Sequence, residues 1–279
     1  MKAPKYLPIF LFLILTVLPL LAGVGYALGQ SLGLIGIKAK GWSLIYWERA
    51  FREPEWLYSL AYSGAISLVS VGLALLMALF SCLGLKKYHQ SAWRLLFYLP
   101  LAVPTIVAAF FTFQLLSGGG WVARVAFALG LISGPENFPE LVQDPWSVGI
   151  ILSHLMLAFP FFTLLLMNIY QSEKIDQLSQ LAATLGANSG QRILRVEIPL
   201  LLKGAYPVIL MYLIFIIGSY EIPLLLGRQS PRMISILTLD KLQSYDLGAR
   251  PLAYVYALMY AFFVLILLLV LGRRRPANV

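Results

Sequence analysis

Apolar and polar residues alternate along this chain on the scale of whole helices rather than of single positions. Six apolar runs of about twenty residues or more are separated by shorter polar segments. A helix of about twenty apolar residues is long enough to cross the hydrocarbon core of a bilayer. The pattern therefore predicts six spanning helices, at residues 7–28, 57–85, 95–116, 147–170, 204–226 and 251–271.

The composition agrees with this pattern. Of the 279 residues, 60% are hydrophobic and only 12% are charged, which is typical of polytopic membrane proteins and not of soluble domains. The predicted fold class is an all-α membrane protein with six transmembrane helices. Cys82 is the only cysteine, so no disulfide can form within the chain.

The net charge of +9 reflects topology rather than nucleic-acid binding, because the basic residues are scattered and no nucleic-acid motif accompanies them. If both termini and residues 173–203 lie inside, the inner segments carry twelve basic and three acidic residues. The outer segments carry nine basic and eight acidic residues. This bias follows the positive-inside rule. The first apolar run also fits a secretory signal peptide cleaved near Gly29, but its length favours an uncleaved span.

Two of the predicted spans have distinctive features. Pro100 and Pro104 lie four residues apart in the third span, so they fall on one helical face and predict a kink. The second span carries small residues three or four positions apart, which predicts a face that packs closely against other helices. These small residues are Ser63, Ser67, Ser70, Ala74 and Ala78.

Residues 29–58, rich in tryptophan, tyrosine and charge, predict an interfacial helix on the outer side.

The most informative polar stretch is residues 175–199, between the fourth and fifth spans. Apolar residues recur at helical spacing up to Leu185, and Gly186 follows where a helix most readily ends in a left-handed conformation. Asn188 and Gln191 match a capping box that opens a second helix. Pro199 is predicted to stop that second helix.

This stretch resembles the EAA loop of type I ATP-binding-cassette (ABC) importer permeases. The resemblance is carried by Gln180-Leu181-Ala182-Ala183, Gly186, and Ile198-Pro199 thirteen positions beyond the glycine. Gln180 stands where the family has glutamate, Leu181 replaces the first alanine, and Ile198 occupies a leucine position. Similarity to the family extends over about residues 50–272. It implies a permease core at 57–272 with a coupling loop at 173–203, preceded by an N-terminal segment at 1–56 and followed by a basic tail at 273–279.

The resemblance implies a permease subunit of a binding-protein-dependent importer in the bacterial inner membrane, with both termini cytoplasmic. Its partners would be an ABC ATPase dimer inside, a second permease subunit that is identical or different, an external solute-binding protein, and membrane lipid. Nucleic acid is not among them. ATP would be bound by the ATPase, so no cofactor is expected on this chain.

Within the loop, the small residues Ala182, Ala183 and Gly186 would let the ATPase approach closely. Gln180 would hold the first helix through a hydrogen bond, while Ile198 and Pro199 would fix the entry into the fifth span. The alternative interpretation is an ordinary cytoplasmic connector in which alanine serves only helix propensity.

No catalytic motif accompanies these features. The sequence lacks a GxxxxGK[ST] phosphate loop and an HExxH motif, so it is not predicted to be an enzyme. Two other functions remain open. One is a secondary carrier that works without an ATPase, although no internal repeat supports it. The other is a membrane scaffold subunit that does not transport.

Glu221, in GSYEIPLLLG, is predicted to lie near the outer end of the fifth span. Ionisable residues in spans are costly and usually face the protein interior or a water-filled path. Tyr220, Glu221 and Pro223 are therefore candidates to line the translocation path, whereas solvation or pairing with Arg228 would make Glu221 structural. The segment also resembles an FxxPxLLG-like stretch in permeases for polyamines, ferric iron and related solutes. A carboxylate there would favour a cationic solute.

Overall fold

A computed structural model describes residues 7–36, 39, 41–86 and 94–272, and all regular structure in these ranges is helical. The predicted basic tail at 273–279 lies outside the described residues. The α-helices are α1 (Leu7–Phe12), α2 (Leu18–Ser31), α3 (Ile45–Arg52), α4 (Glu55–Gly84), α5 (Arg94–Tyr98), α6 (Thr105–Leu116), α7 (Trp121–Ala128), α8 (Val148–Ser172), α9 (Ile175–Thr184), α10 (Ser189–Arg192), α11 (Ile198–Ile217), α12 (Glu221–Leu226), α13 (Ile234–Gln243) and α14 (Arg250–Gly272). Short 3-10 helices occur at Pro100–Ala102 and Pro135–Asn137, and π-helical turns at Leu13–Val17 and Ile193–Glu197.

Within the described residues, six helical stretches are long and apolar enough to cross a membrane. This number confirms the predicted all-α fold class, and the first, second, fourth and sixth stretches begin and end close to the predicted spans. The six stretches are Phe10–Ser31, Glu55–Gly84, Thr105–Ala128, Val148–Ser172, Ser189–Ile217 and Arg250–Gly272.

The third span differs from its prediction at 95–116. The two prolines do not kink one helix but separate two, because Val103 adopts an extended conformation before Pro104 and α6 begins only at Thr105. A residue that precedes proline is driven out of the helical region, so this break has a local steric cause. The stretch then continues through α7 to Ala128, beyond the predicted end of the third span at residue 116.

The fifth span also differs, and Pro199 is not a helix stop. α10, the π turn and α11 form one helical stretch, in which Pro199 occupies the first turn of α11. That stretch ends at Ile217 rather than at 226, and a break at Gly218–Tyr220 separates it from the short helix α12. The prediction that Glu221 lies within the fifth span is therefore wrong, because Glu221 begins α12.

π-helical turns precede two of the prolines in the helical stretches, whereas Pro160 and Pro207 lie inside α8 and α11 without such a turn. Each turn is followed directly by one residue and then a proline, Pro19 after Leu13–Val17 and Pro199 after Ile193–Glu197. In a regular α-helix the proline ring clashes with the carbonyl four residues earlier, and the missing N–H leaves that carbonyl unpaired. A wider turn relieves both problems, so the helix continues through the proline.

The described chain falls into two compact units. Among the described residues, one unit contains 7–36, 39, 41–60 and 234–267, and the other contains 61–86, 94–233 and 268–272. In the first unit, Tyr26 packs edge-on against Tyr254, and Lys241 forms an ion pair of 2.9 Å with Glu55. The predicted interfacial helix corresponds to α3, which precedes α4 by two residues.

The core of the second unit forms where α4, α8, α9 and α11 meet. All five small residues of the second span are fully buried, which confirms the predicted packing face on α4. Their size lets the helices approach closely enough for the Ser67 hydroxyl to donate to the Leu213 carbonyl at 2.8 Å. This core supports the loop at 173–203 from one side, because Ile175 of α9 is part of it.

Candidate functional site

The loop between α8 and α11 has the local architecture that its sequence predicts. Gly186 has a φ of +90°, and the amides of Gly186 and Ala187 donate to the carbonyls of Ala183 and Ala182, each at 3.0 Å. This is the Schellman arrangement that ends a helix at glycine. Asn188 then caps α10 with the predicted reciprocal pair of hydrogen bonds to Gln191.

Helix α9 has one buried face and one exposed apolar face. Ile175 and Ser179 are buried with 0% and 3% exposure, and they lie one turn apart against the core. On the flank beside this buried face, about 60–120° round the helix from Ile175, three leucines at i, i+3 and i+7 form what we call the leucine face: Leu178, Leu181 and Leu185. Their exposed fractions are 42%, 58% and 83%. Because they are neighbours on successive turns, they form one contiguous apolar patch, and such patches mark interaction surfaces.

The residues predicted for ATPase coupling lie together but do not share one face. Ala182 is half-buried beside the core side of α9, whereas Ala183 and Gly186 are exposed. Gln180 is exposed, and its side-chain amide donates to Asp176 of the same helix at 2.6 Å. At the other end of the loop, Ile198 is half-buried and Pro199 is exposed at the start of α11.

Glu197 is a buried carboxylate that the sequence analysis missed. It is the last residue of the π turn and only 1% exposed. The Ser179 hydroxyl donates to Glu197 Oε1 at 2.7 Å, and Lys86 Nζ lies 3.4 and 3.5 Å from the two carboxylate oxygens. Three separate segments therefore converge on one charge: α9, the π turn, and the end of the α4 segment.

A signal for Glu197 was present in the sequence. The residue directly precedes Ile198-Pro199 and a long apolar run, so its side chain lies at the edge of a span, where a charge needs a partner. Lys86 likewise follows the apolar run of the second span. Glu197 and Lys86 are 111 positions apart, so no local sequence pattern indicates that they form a pair.

The second candidate site lies at the helix break after α11. Tyr220 and Glu221 are exposed, whereas Pro223 is buried together with Ile222 and Leu226 of α12. The buried face of α12 joins a cluster with residues of α4, α6 and α8. Among the described residues, no ion pair joins Glu221 to Arg228. Glu221 in the first turn of α12 is also where a carboxylate favours a helix electrostatically.

These features define a polytopic helical membrane protein with a supported, partly apolar loop outside its spans. A family model described as "Binding-protein-dependent transport system inner membrane component" matches residues 70–273. The chain therefore belongs to this family of ABC importer permeases, as a permease subunit in the inner membrane.

Individual relatives agree with this assignment. The chain is 27% identical over 185 residues to the thiamine transport system permease protein ThiP of Brucella suis biovar 1 (strain 1330) and to that of Brucella abortus (strain 2308). The match covers 66% of this chain but 32% of each relative, so the chain spans about a third of their length.

The fold also matches solved structures. A bacterial ABC transporter that imports the acidic polysaccharide alginate superposes with a TM-score of 0.68 at 18% identity, covering 98% of this chain and 94% of that one. A bacterial alginate ABC transporter in complex with an alginate pentasaccharide-bound periplasmic protein gives a TM-score of 0.67 at 18% identity, with the same coverage. This likeness shows the type I permease fold.

Proposed function

We propose that this permease is driven by a separate ATPase that docks on the 173–203 loop at the cytoplasmic side. The observation that carries the proposal is the leucine face, because it is exposed on a helix whose adjacent face is fixed in the protein's own core. The family's EAA-like residues Gln180, Ala182, Ala183 and Gly186 lie on the same helix and its turn.

Burial of the leucine face would provide the docking energy. Removing a leucine side chain from water contributes about 1.5–3 kcal/mol when burial is complete. Leu185, which is 83% exposed, has the most surface to lose. A partner groove that receives three such side chains gains a stable, directional contact, whereas an unoccupied surface of this kind invites aggregation.

The test places a photo-crosslinking amino acid at Leu185 and, as a control, at Leu131, which is 73% exposed and lies in the 117–146 segment predicted to be external. We expect the Leu185 probe to trap an ATP-binding subunit in native membranes and the Leu131 probe to trap none. Leu185→Glu should remove ATP hydrolysis from the purified complex, while Leu131→Glu should retain it. Equal trapping at both positions, or hydrolysis that survives Leu185→Glu, would refute docking at this face.

The remaining partners follow from the family and from the neighbour bound to its periplasmic protein. We propose that a second permease subunit completes the path and that an external binding protein delivers the solute. We propose that both termini lie in the cytoplasm, which the charge bias favours. A reporter fused after Asn188 that behaved as external would contradict this topology.

For the solute, we propose a small cation that passes Tyr220, Glu221 and Pro223. The relatives are thiamine permeases, and thiamine carries a positive charge. Uptake of labelled thiamine and spermidine should be compared in cells with the wild type, with Glu221→Gln and with the control Glu136→Gln, which also removes an exposed carboxylate. A loss of uptake of either probe with Glu221→Gln alone supports the proposal, and unchanged uptake with both variants excludes this path.

A further inference from the structure

We infer that Glu197 is a positioning residue that ties the docking helix α9 to the start of the fifth span. This inference deepens the proposed function and rests on it for its purpose, because a motor that moves α9 can act on the spans only if α9 is attached to them. The geometry points to the carboxylate as that attachment.

In each of the three segments that meet at the carboxylate, the polar residue lies four positions from a buried apolar residue. Ser179 follows the buried Ile175 by one turn of α9, and Lys86 follows the buried Cys82 by four residues. Glu197 precedes the buried Leu201 by four residues. Ile175, Cys82 and Leu201 belong to one apolar cluster, so the polar contacts form directly at the edge of that cluster.

The direct link to α9 is the Ser179–Glu197 hydrogen bond of 2.7 Å. A hydrogen bond to an ionised acceptor is stronger than one between neutral groups, and the burial of both side chains shields it from competing water. The covalent connection between α9 and α10 runs instead through the exposed turn at Gly186–Asn188, which bends more easily than a packed contact. The buried hydrogen bond therefore passes a displacement of α9 on to the start of the fifth span, whereas the turn alone would bend instead.

Lys86 is the charge partner of the carboxylate. A buried carboxylate without a cation is unfavourable, because its lost hydration is not replaced. The Lys86 side chain is 37% exposed, so the ammonium retains water while it neutralises Glu197. It also connects the inner end of the second span to the same site.

The contacts of Glu197 predict which variants disturb the site most. Ser179→Ala removes the α9 contact alone, and Lys86→Met leaves a buried charge unpaired. Lys86→Met combined with Glu197→Gln removes both charges, which costs less than leaving one of them without its partner. The exchange rate of the α9 amides in the double variant should therefore be closer to that of the wild type than the rate in Lys86→Met is.

The test is amide hydrogen exchange of the full chain in lipid nanodiscs, without ATPase. Ser179→Ala should speed exchange in α9 about tenfold, as the loss of a charge-assisted bond implies, while exchange in α8 stays unchanged. Ser172→Ala is the matched control, because that exposed hydroxyl bonds only to a carbonyl of its own helix, Ile169. Lys86→Arg, which keeps the positive charge, should leave amide exchange in α9 at the wild-type rate.

The inference is overturned if Ser179→Ala leaves α9 unchanged, if α8 accelerates equally, or if the double variant is no better than Lys86→Met. These outcomes are separable from failure of the docking proposal. The Leu185 crosslink tests contact with the ATPase, whereas exchange in α9 tests the tie within this chain. In native membranes, Ser179→Ala should retain the Leu185 crosslink.

Discussion

Gly186 sets the angle between α9 and α10, and its substitution gives a quantitative test of the loop. The residue has a φ of +90°, and a Cβ built on it would meet nothing within 4 Å. A side chain there therefore costs only backbone conformation and no steric clash. For alanine the cost of a left-handed conformation is about 1–2 kcal/mol, and for a β-branched residue it is larger.

The expected consequence is local opening at the end of α9. The amides of residue 186 and of Ala187 form the two Schellman bonds, so their exchange reports the strain directly. With 1.4 kcal/mol for each factor of ten, Gly186→Ala should speed their exchange about 5- to 30-fold. Gly186→Val should exceed this range, and Gly186→Asn should fall below it, because asparagine tolerates positive φ better.

Gly190→Ala is the matched control for this series. Gly190 has no positive φ, and its Cβ would make an ordinary contact of 3.5 Å with Asn188 Oδ1. Alanine should therefore stabilise α10 by about 0.5–1 kcal/mol through reduced backbone entropy. If Gly186→Ala exchanged like the wild type, or if Gly186→Asn were as damaging as Gly186→Val, the conformational explanation would be refuted.

Three further predictions concern caps and packing. Asn188→Ala should destabilise the start of α10 by about 1 kcal/mol, measured by exchange of the amides it caps. Ala74→Leu overfills a site with 0% exposure and should lower stability by about 1–3 kcal/mol in thermal unfolding, whereas Leu76→Ala at a 65% exposed site should change it by less than about 0.5 kcal/mol. Ser67→Ala breaks the buried bond to α11 and should cost about 1 kcal/mol in the same measurement, a result that an unchanged melting temperature would contradict.

Features that depend on neighbours in sequence were predictable. Six apolar runs specify six spans, and the turn at Gly186 and the Asn188 cap follow from backbone geometry over a few residues. The small face of α4 was also predictable, because helical spacing places such residues on one side.

Features that depend on tertiary contacts were not predictable in the same way. Leu178 and Leu185 belong to the same apolar stripe as Ile175, about 60–80° further round the helix. Only Ile175 is buried, because the core covers one edge of that stripe. Glu197 finds partners in two distant segments, which no local pattern encodes. The sequence shows that each proline lacks an N–H, but it does not show how the helix responds. The helix breaks at Pro104, whereas it forms a π turn before Pro199.

The response at Pro199 has a mechanical consequence. The helical stretch Ser189–Ile217 has 29 residues and is about 43 Å long, whereas the hydrocarbon core is about 30 Å thick. If the stretch crosses the bilayer upright with its excess at the N-terminal end, about 13 Å of it, or roughly nine residues, protrudes. Nine residues counted from Ser189 end at Glu197, so the π turn and the buried carboxylate fall where the helix would enter the membrane. Because the helix is continuous through Pro199, a force on the protruding end acts on the whole span, and the tie to Ser179 lies at the point about which that span would turn.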